Sequence, residues 1–157
     1  MKPDEVDLKI LALLQRDGRM TNFKLAKKIG LTPAPTLMRV KKLEQAGYIK
    51  RFVALVDAEK LGLPILAFVH VILEAHNRKT TLDFMQAMKK YSEVLECHHI
   101  AGDEDFLLKV VAASPAEYED FVLQKLTKVG GIEKVKTTFV LSSSKLDTEI
   151  PLKGGTE

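Results

Sequence analysis

The run Ala101-Gly102-Asp103-Glu104-Asp105-Phe106 sets three carboxylates beside a glycine. On an extended chain Asp103 and Asp105 share one face and Glu104 takes the other. Amides next to Gly102 are open to close approach, because glycine carries no side chain. A ligand carboxylate could accept those amides while an aspartate holds an ammonium group, and that pairing suits a free amino acid. A polar hairpin turn accounts for the same residues. A cation site is a poorer fit, since no further acids lie close in sequence. Just upstream, Cys97-His98-His99 offers metal-ligating types. On a strand Cys97 and His99 share a face that His98 opposes, so the three do not converge alone. Structural zinc sites usually show two spaced ligand pairs, so packed or interface histidines are expected instead. No Gly-rich phosphate loop, nucleophile elbow or triad spacing is present, and neither a cofactor nor a metal is expected.

A second chemistry lies in the first third of the chain. From Arg19 to Arg51 there are nine basic residues and one acid, Glu44. Residues 1–63 carry 13 Lys+Arg against 7 Asp+Glu, and residues 64–157 carry 11 against 14. Such asymmetry suits a basic module that meets a polyanion, joined to an acidic module with another task. A solvated basic surface is the plain alternative.

The elements that position these charges are legible. Val6, Ile10, Leu13 and Leu14 recur at helical spacing behind Asp4, Glu5 and Asp7, acids that suit a helix start. Thr21 can cap a second helix with Leu25, Ala26 and Ile29 inward, ending at Gly30. Thr32 then caps a third helix, so Gly30-Leu31-Thr32 is the tight turn of a helix-turn-helix. Pro33 and Pro35 fall where helix amides have no internal partner, although Pro35 pushes Ala34 away from the helical region. Ala34, Pro35, Met38, Lys42 and Gln45 point away from Leu37, Val40 and Leu43, with Arg39 and Lys41 on the flanks.

A recognition helix reads bases in the major groove with its N-terminal half. Thr32, Ala34, Pro35, Thr36 and Met38 are candidates for that contact. Arg39 is the candidate for a guanine, and Lys28, Lys42 and Arg51 for phosphates. The stretch YIKRFVALV reads as a strand pair, or wing. A helical protein-interaction domain with a basic face is the competing reading.

Beyond residue 63 the period changes. ILAFVHVIL, VLECHHIA, FLLKVVAA and VKTTFVLSS read as strands. Thr80-x-x-Asp83 resembles a capping box for one helix, and Ser114-Pro115 with Glu117 starts another. The order βαββαβ is ferredoxin-like. The fold class is therefore α+β: a winged helix-turn-helix at 1–51, a linker strand at 52–63, a ferredoxin-like domain at 64–150 and a loose tail at 151–157. The strands are apolar on both sides, so a second copy is expected to cover the face without helices.

Composition bounds the rest. Cys97 is the only cysteine, which excludes an internal disulfide and fits a reducing compartment. MKPDEVDLK is too acidic for a secretory signal. The longest apolar run, LGLPILAFVHVIL, falls short of the ~20 residues that span a bilayer. The chain reads as cytosolic, with no membrane partner.

Over residues 4 to about 150 the chain resembles the leucine-responsive regulatory protein (Lrp)/AsnC family of prokaryotic transcription regulators. The resemblance rests on DLKILALLQRDGRMTNFKLAKKIGLTPAPTLMRVKKLEQAGYIKRF and ECHHIAGDEDFLLKV, and is closer to the leucine-responsive branch. It implies palindromic promoter DNA as partner, homodimers assembling to octamers, and a nucleoid-associated protein of the cytoplasm. It further implies an amino-acid effector, such as leucine, bound between subunits near Ala101, Gly102, Asp103, Glu104 and Asp105, with Thr137 and Phe139 contributing. Family members often place a bulky aromatic where this chain has Glu104. A related group with both modules decarboxylates tetrapyrroles. That enzyme, an effector-free architectural DNA-binding protein and a protein-interaction adaptor are the alternatives.

Overall fold

A computed structural model describes residues 2–152. The chain divides into two compact units: one runs from the N-terminus to Leu55 and takes back the segment from Lys145, and the other is Val56–Ser144. These limits differ from the boundaries read in the sequence, because described residues of the 145–152 segment pack with the first unit. The expected loose tail is thus corrected at Leu152, which packs on the first unit's core, while its last five residues lie outside the described residues.

In the first unit α1 (Glu5–Arg16), α2 (Asn22–Ile29) and α3 (Pro33–Gln45) surround Ile10, Leu11, Leu25 and Leu43. Asp4 and Asp7 cap α1 reciprocally: Asp7 N–H donates to Asp4 Oδ1 at 2.8 Å and Asp4 N–H to Asp7 Oδ2 at 3.1 Å. Thr21 caps α2, and Gly30 ends it at φ 72°, a left-handed conformation that glycine adopts without penalty. Pro33 opens α3, so the Ala34 conflict resolves in favour of the helix. Thr32 supplies the cap backbone but no side-chain bond.

The returning segment is fastened to α1 from three directions. Gln15 and the Ile150 backbone exchange two hydrogen bonds, at 3.1 and 2.7 Å. Arg16 Nε donates to both carboxylate oxygens of Glu149, and Leu152 joins the apolar core. Gln15→Ala removes one side of this clasp. We expect it to lower the thermal midpoint of the DNA-binding unit by the worth of one or two exposed hydrogen bonds, roughly 1–2 kcal/mol, leaving the other unit's midpoint unmoved in calorimetry.

The second unit is a four-stranded antiparallel sheet of β1 (Ile65–Leu73), β2 (Val94–His99), β3 (Phe106–Ala112) and β4 (Ile132–Phe139), in the order β2-β3-β1-β4. Helices α4 (Arg78–Met88) and α5 (Pro115–Asp120), the latter continued by a wider π turn to Leu126, complete the ferredoxin-like order. Asn77 rather than Thr80 caps α4, accepting Thr80 N–H at 3.0 Å. Asp83 pairs with Lys79 instead of closing a box. Alternation sends Ala67, Val69, Val71, Leu73, Phe106, Leu108 and Val110 to the helices, where Phe84, Met88, Phe121 and Leu126 bury them. Phe84 and Phe106 pack with tilted rings, 4.6 Å between centroids.

The opposite sheet face carries Leu66, Phe68, Ile72 and Leu107, all half-buried in the single chain. The segment read as wing and linker strand has no ladder among the described residues. Residues 51–57 have no regular secondary structure, and Phe52, Val53, Leu55 and Val56 stand exposed. A strand needs a partner for its amides, and one chain supplies none here.

Candidate functional site

In the DNA-binding unit, α3 turns a defined ridge outward. Thr36 and Leu43 are fully buried and Val40 is half-buried, which fixes the inward side. At about 100° per residue the opposite side is Ala34, Met38, Lys41 and Gln45, flanked by Pro35 and Lys42. All six are exposed, Met38 by 66%. Lys28, Thr32 and Arg51 are exposed as well.

Two of the expected DNA contacts are placed away from the outward ridge. Thr36 faces inward: its side chain is buried and its hydroxyl donates to the Thr32 carbonyl at 2.9 Å. Arg39 does not project as a base reader. Its Nη1 donates to Asp4 Oδ2 and Asp7 Oδ1, each at 2.7 Å. Arg39 lies one helical turn from both Thr36 and Leu43, so it leaves the helix on the inward side. Lys41, which sequence reasoning left on a flank, occupies the centre of the outward ridge. The helical wheel held that signal once Thr36 was counted as core.

At the head of α2, Asn22 Nδ2 donates to the Pro33 carbonyl at 2.7 Å. This bond ties the two helices of the motif across their turn. The arrangement is a helix-turn-helix whose second helix offers small and apolar residues at its start and lysines further along. Such a surface can enter a major groove, meet thymine methyls and balance phosphate charge.

In the second unit the 101–105 turn joins β2 to β3, and Ile100 N–H donates to the Asp105 carbonyl at 2.9 Å. Gly102 sits at φ 154°, with open space where a Cβ would stand. Asp103 is exposed, and Ala101 and Gly102 leave the turn open to solvent. Asp105 is committed elsewhere. Its N–H donates to the Val71 carbonyl at 3.0 Å, its Oδ2 accepts Leu73 N–H at 2.7 Å, and its Oδ1 meets His76 Nδ1 at 2.9 Å. The carboxylate read as an ammonium holder therefore pins the turn to the end of β1. Nothing local in sequence announces Leu73 or His76, which lie 32 and 29 residues away.

Glu104 reaches the open sheet face, with His70 Nδ1 at 3.6 Å and Lys136 Nζ at 3.9 Å, although it stands two residues before the helix-facing Phe106, so the strand alternation breaks in the turn. Thr137 and Phe139 lie on the helix face: the Thr137 hydroxyl bonds the Tyr118 hydroxyl, and Phe139 meets that tyrosine edge-on at 5.1 Å. Within one chain the turn and these two residues therefore do not share a pocket. The β4 residue that the turn reaches is Lys136, absent from the expected set.

The metal-type run is spent on packing. Cys97 packs against the core, and burial pushes its thiol up, away from the thiolate a metal needs. His98 meets Glu96 at 3.0 Å, and His99 stacks on Phe106 at 5.0 Å. Among the described residues no His/Cys/Asp/Glu group is arranged to hold a metal ion, and no helix is long and apolar enough to cross a membrane.

Comparison with known proteins adds independent findings. The model of the Lrp/AsnC ligand binding domain matches residues 66–150, and a winged helix-turn-helix DNA-binding model matches residues 3–50. The transcriptional regulator AzlB of Bacillus subtilis is 38% identical over 149 residues, 95% of this chain and 95% of that protein. The leucine-responsive regulatory protein of Haemophilus influenzae is 37% identical over 150 residues, 96% of this chain and 90% of that protein. Among solved structures, a Neisseria meningitidis transcriptional regulator in complex with L-Met superposes with a TM-score of 0.91 at 34% identity, covering 97% and 98% of the two chains. Escherichia coli AsnC superposes with a TM-score of 0.87 at 26% identity, covering 96% and 100%.

Proposed function

Because this chain belongs to the Lrp/AsnC family of DNA-binding transcriptional regulators, we propose that it binds promoter DNA as a dimer and that a free amino acid tunes its binding or assembly. The observation that carries the reading is the outward ridge Ala34–Met38–Lys41–Gln45 on the second helix of a helix-turn-helix, within a segment of nine bases and one acid. Two such helices in a two-fold dimer call for a palindromic site.

Two apolar surfaces support the dimer: the exposed Phe52–Val56 segment and the half-buried sheet face carrying Phe68, Ile72 and Leu107. Neither is fully covered in a single chain, and a second copy would bury both. Assembly to octamers extends the same logic. The reading places the protein in the cytoplasm at its DNA, without a catalytic role.

The effector reading rests on the open turn. Gly102 exposes backbone amides to a carboxylate, and Asp103 is a free acid beside them for an ammonium. Thr137 and Phe139 join this site only if another copy brings them there. The L-Met complex of the Neisseria regulator makes methionine the first effector to try beside leucine. An effector shifts an assembly equilibrium only by its difference in affinity between the two states.

The test is binding to the duplex upstream of its own gene against a scrambled duplex, at one physiological salt, with and without leucine or methionine. Preference for the real duplex that changes with the amino acid supports both modules. Preference that ignores either amino acid keeps the regulator and removes that effector. No preference, with strong binding to both, favours an architectural protein. Lys28, exposed on α2, is assigned to phosphate. Lys28→Ala should weaken real and scrambled duplex alike and lower the slope of log K on log salt by about one.

A further inference from the structure

The reading end of α3 is held by polar ties more than by apolar packing. Leu43, the fully buried leucine of this helix, lies in its C-terminal half, whereas Leu37 is 43% exposed. What fixes the first two turns is the Asn22–Pro33 bond, the buried Thr36, and the Arg39 guanidinium on Asp4 and Asp7. Those two aspartates are also each other's capping partners at the start of α1. Asp7 is only 6% exposed, so it is a buried carboxylate whose charge is answered by one cation. Removing one partner of such a pair strands the other, which costs more than an exposed contact does.

We infer that Arg39, Asp4 and Asp7 form a positioning latch for the recognition helix: Arg39 sets the angle at which the Ala34–Met38–Lys41–Gln45 ridge meets the groove and touches no DNA itself. The inference rests on the regulator reading. A helix displaced by an ångström or tilted by a few degrees keeps its lysines near phosphates but loses the aligned contacts that distinguish bases. Loss of the latch should therefore appear as lost specificity at preserved non-specific affinity. The acids hold the guanidinium charged, and it in turn holds the Asp4 carboxyl below the usual range, second to the Asp7 amide bonded to that carboxyl.

The decisive variant is Asp7→Asn, because two accounts give it opposite signs. If Arg39 were a DNA contact merely masked by its acids, removing an acid would free it, and the loss of negative charge would tighten binding to every duplex. As a latch member, Asp7→Asn weakens binding to the real duplex by about tenfold, comparable to one mismatched base pair, while scrambled duplex binds equally well or slightly better. Arg39→Met, which keeps the apolar stem, should reproduce that loss of preference with an unchanged salt slope. A phosphate-contacting Arg39 would lower the slope by about one in the same variant, and a base-reading Arg39 is separated from the latch by the sign of the Asp7→Asn effect.

Asp4→Asn, which removes the exposed partner and leaves the buried one, guards against simple unfolding: it should show a smaller loss of preference with an unmoved helix content. Tighter binding in Asp7→Asn, or a reduced slope in Arg39→Met, overturns the latch while leaving the regulator intact. A wild-type protein with no preference for its own site overturns the regulator reading itself.

Discussion

Leu43→Ala should abolish DNA binding while leaving the sheet domain folded. Four side chains form the buried centre of the DNA-binding unit, Ile10, Leu11, Leu25 and Leu43, with Val6, Leu13, Leu14, Ile29, Val40 and Leu152 half-buried around them. Leu43 has no exposed surface. A buried Leu→Ala change costs about 2–5 kcal/mol, because the transfer term and the cavity add. A unit of this size has little more than that in total stability. Val56–Ser144 holds a separate core built on Phe84, Phe106 and Leu108, with no residue from the first.

Calorimetry of the variant should therefore show one early or missing transition and one at the wild-type position. Specific and scrambled duplex should both be lost at 37 °C, while an amino-acid-induced shift of the surviving transition persists. A single transition that moves as a whole would mean that the two units unfold together and are not independent.

Periodicity carried most of the fold. Both units, the helix-turn-helix with its Gly30 turn and the βαββαβ order follow from apolar spacing and turn residues, which are local. What the sequence hid is long-range and polar. Arg39 looked like a base reader because a guanidinium on a basic helix usually serves nucleic acid. Its partners, Asp4 and Asp7, already had a local explanation as helix-start acids, and nothing signalled that they also faced α3. Asp105 is the same case: its types fitted a ligand, and its bonds to Leu73 and His76 cross from one strand to another. Asn77 outcompeted Thr80 as a cap because it stands three residues before the amide it accepts, a spacing as good as the one read. YIKRFVALV is without a ladder among the described residues for a different reason. Its residues favour a ladder, but a ladder partner is not a property of the segment.

The turn's two aspartates should separate cleanly. Asp105→Ala leaves Leu73 N–H without its acceptor and His76 without its carboxylate. An unsatisfied buried amide costs about 1–3 kcal/mol, so the midpoint of the Val56–Ser144 unit should fall by several degrees. Asp103→Ala removes no hydrogen bond of the fold, since Asp103 is exposed at the turn, and stability should be unchanged. Asp105→Asn keeps a carbonyl oxygen for Leu73 N–H and should stay close to wild type.

The thermal shift produced by leucine or methionine then distinguishes the roles. If Asp105 builds the turn and Asp103 meets the ammonium, Asp103→Ala abolishes the shift at full stability and Asp105→Asn retains it. Asp105→Ala loses both stability and shift, because an unpinned turn no longer presents the Gly102 amides. The reverse pattern, a shift kept in Asp103→Ala and lost in Asp105→Asn, would return the ammonium to Asp105 and make its bonds within the fold a secondary duty of a binding residue.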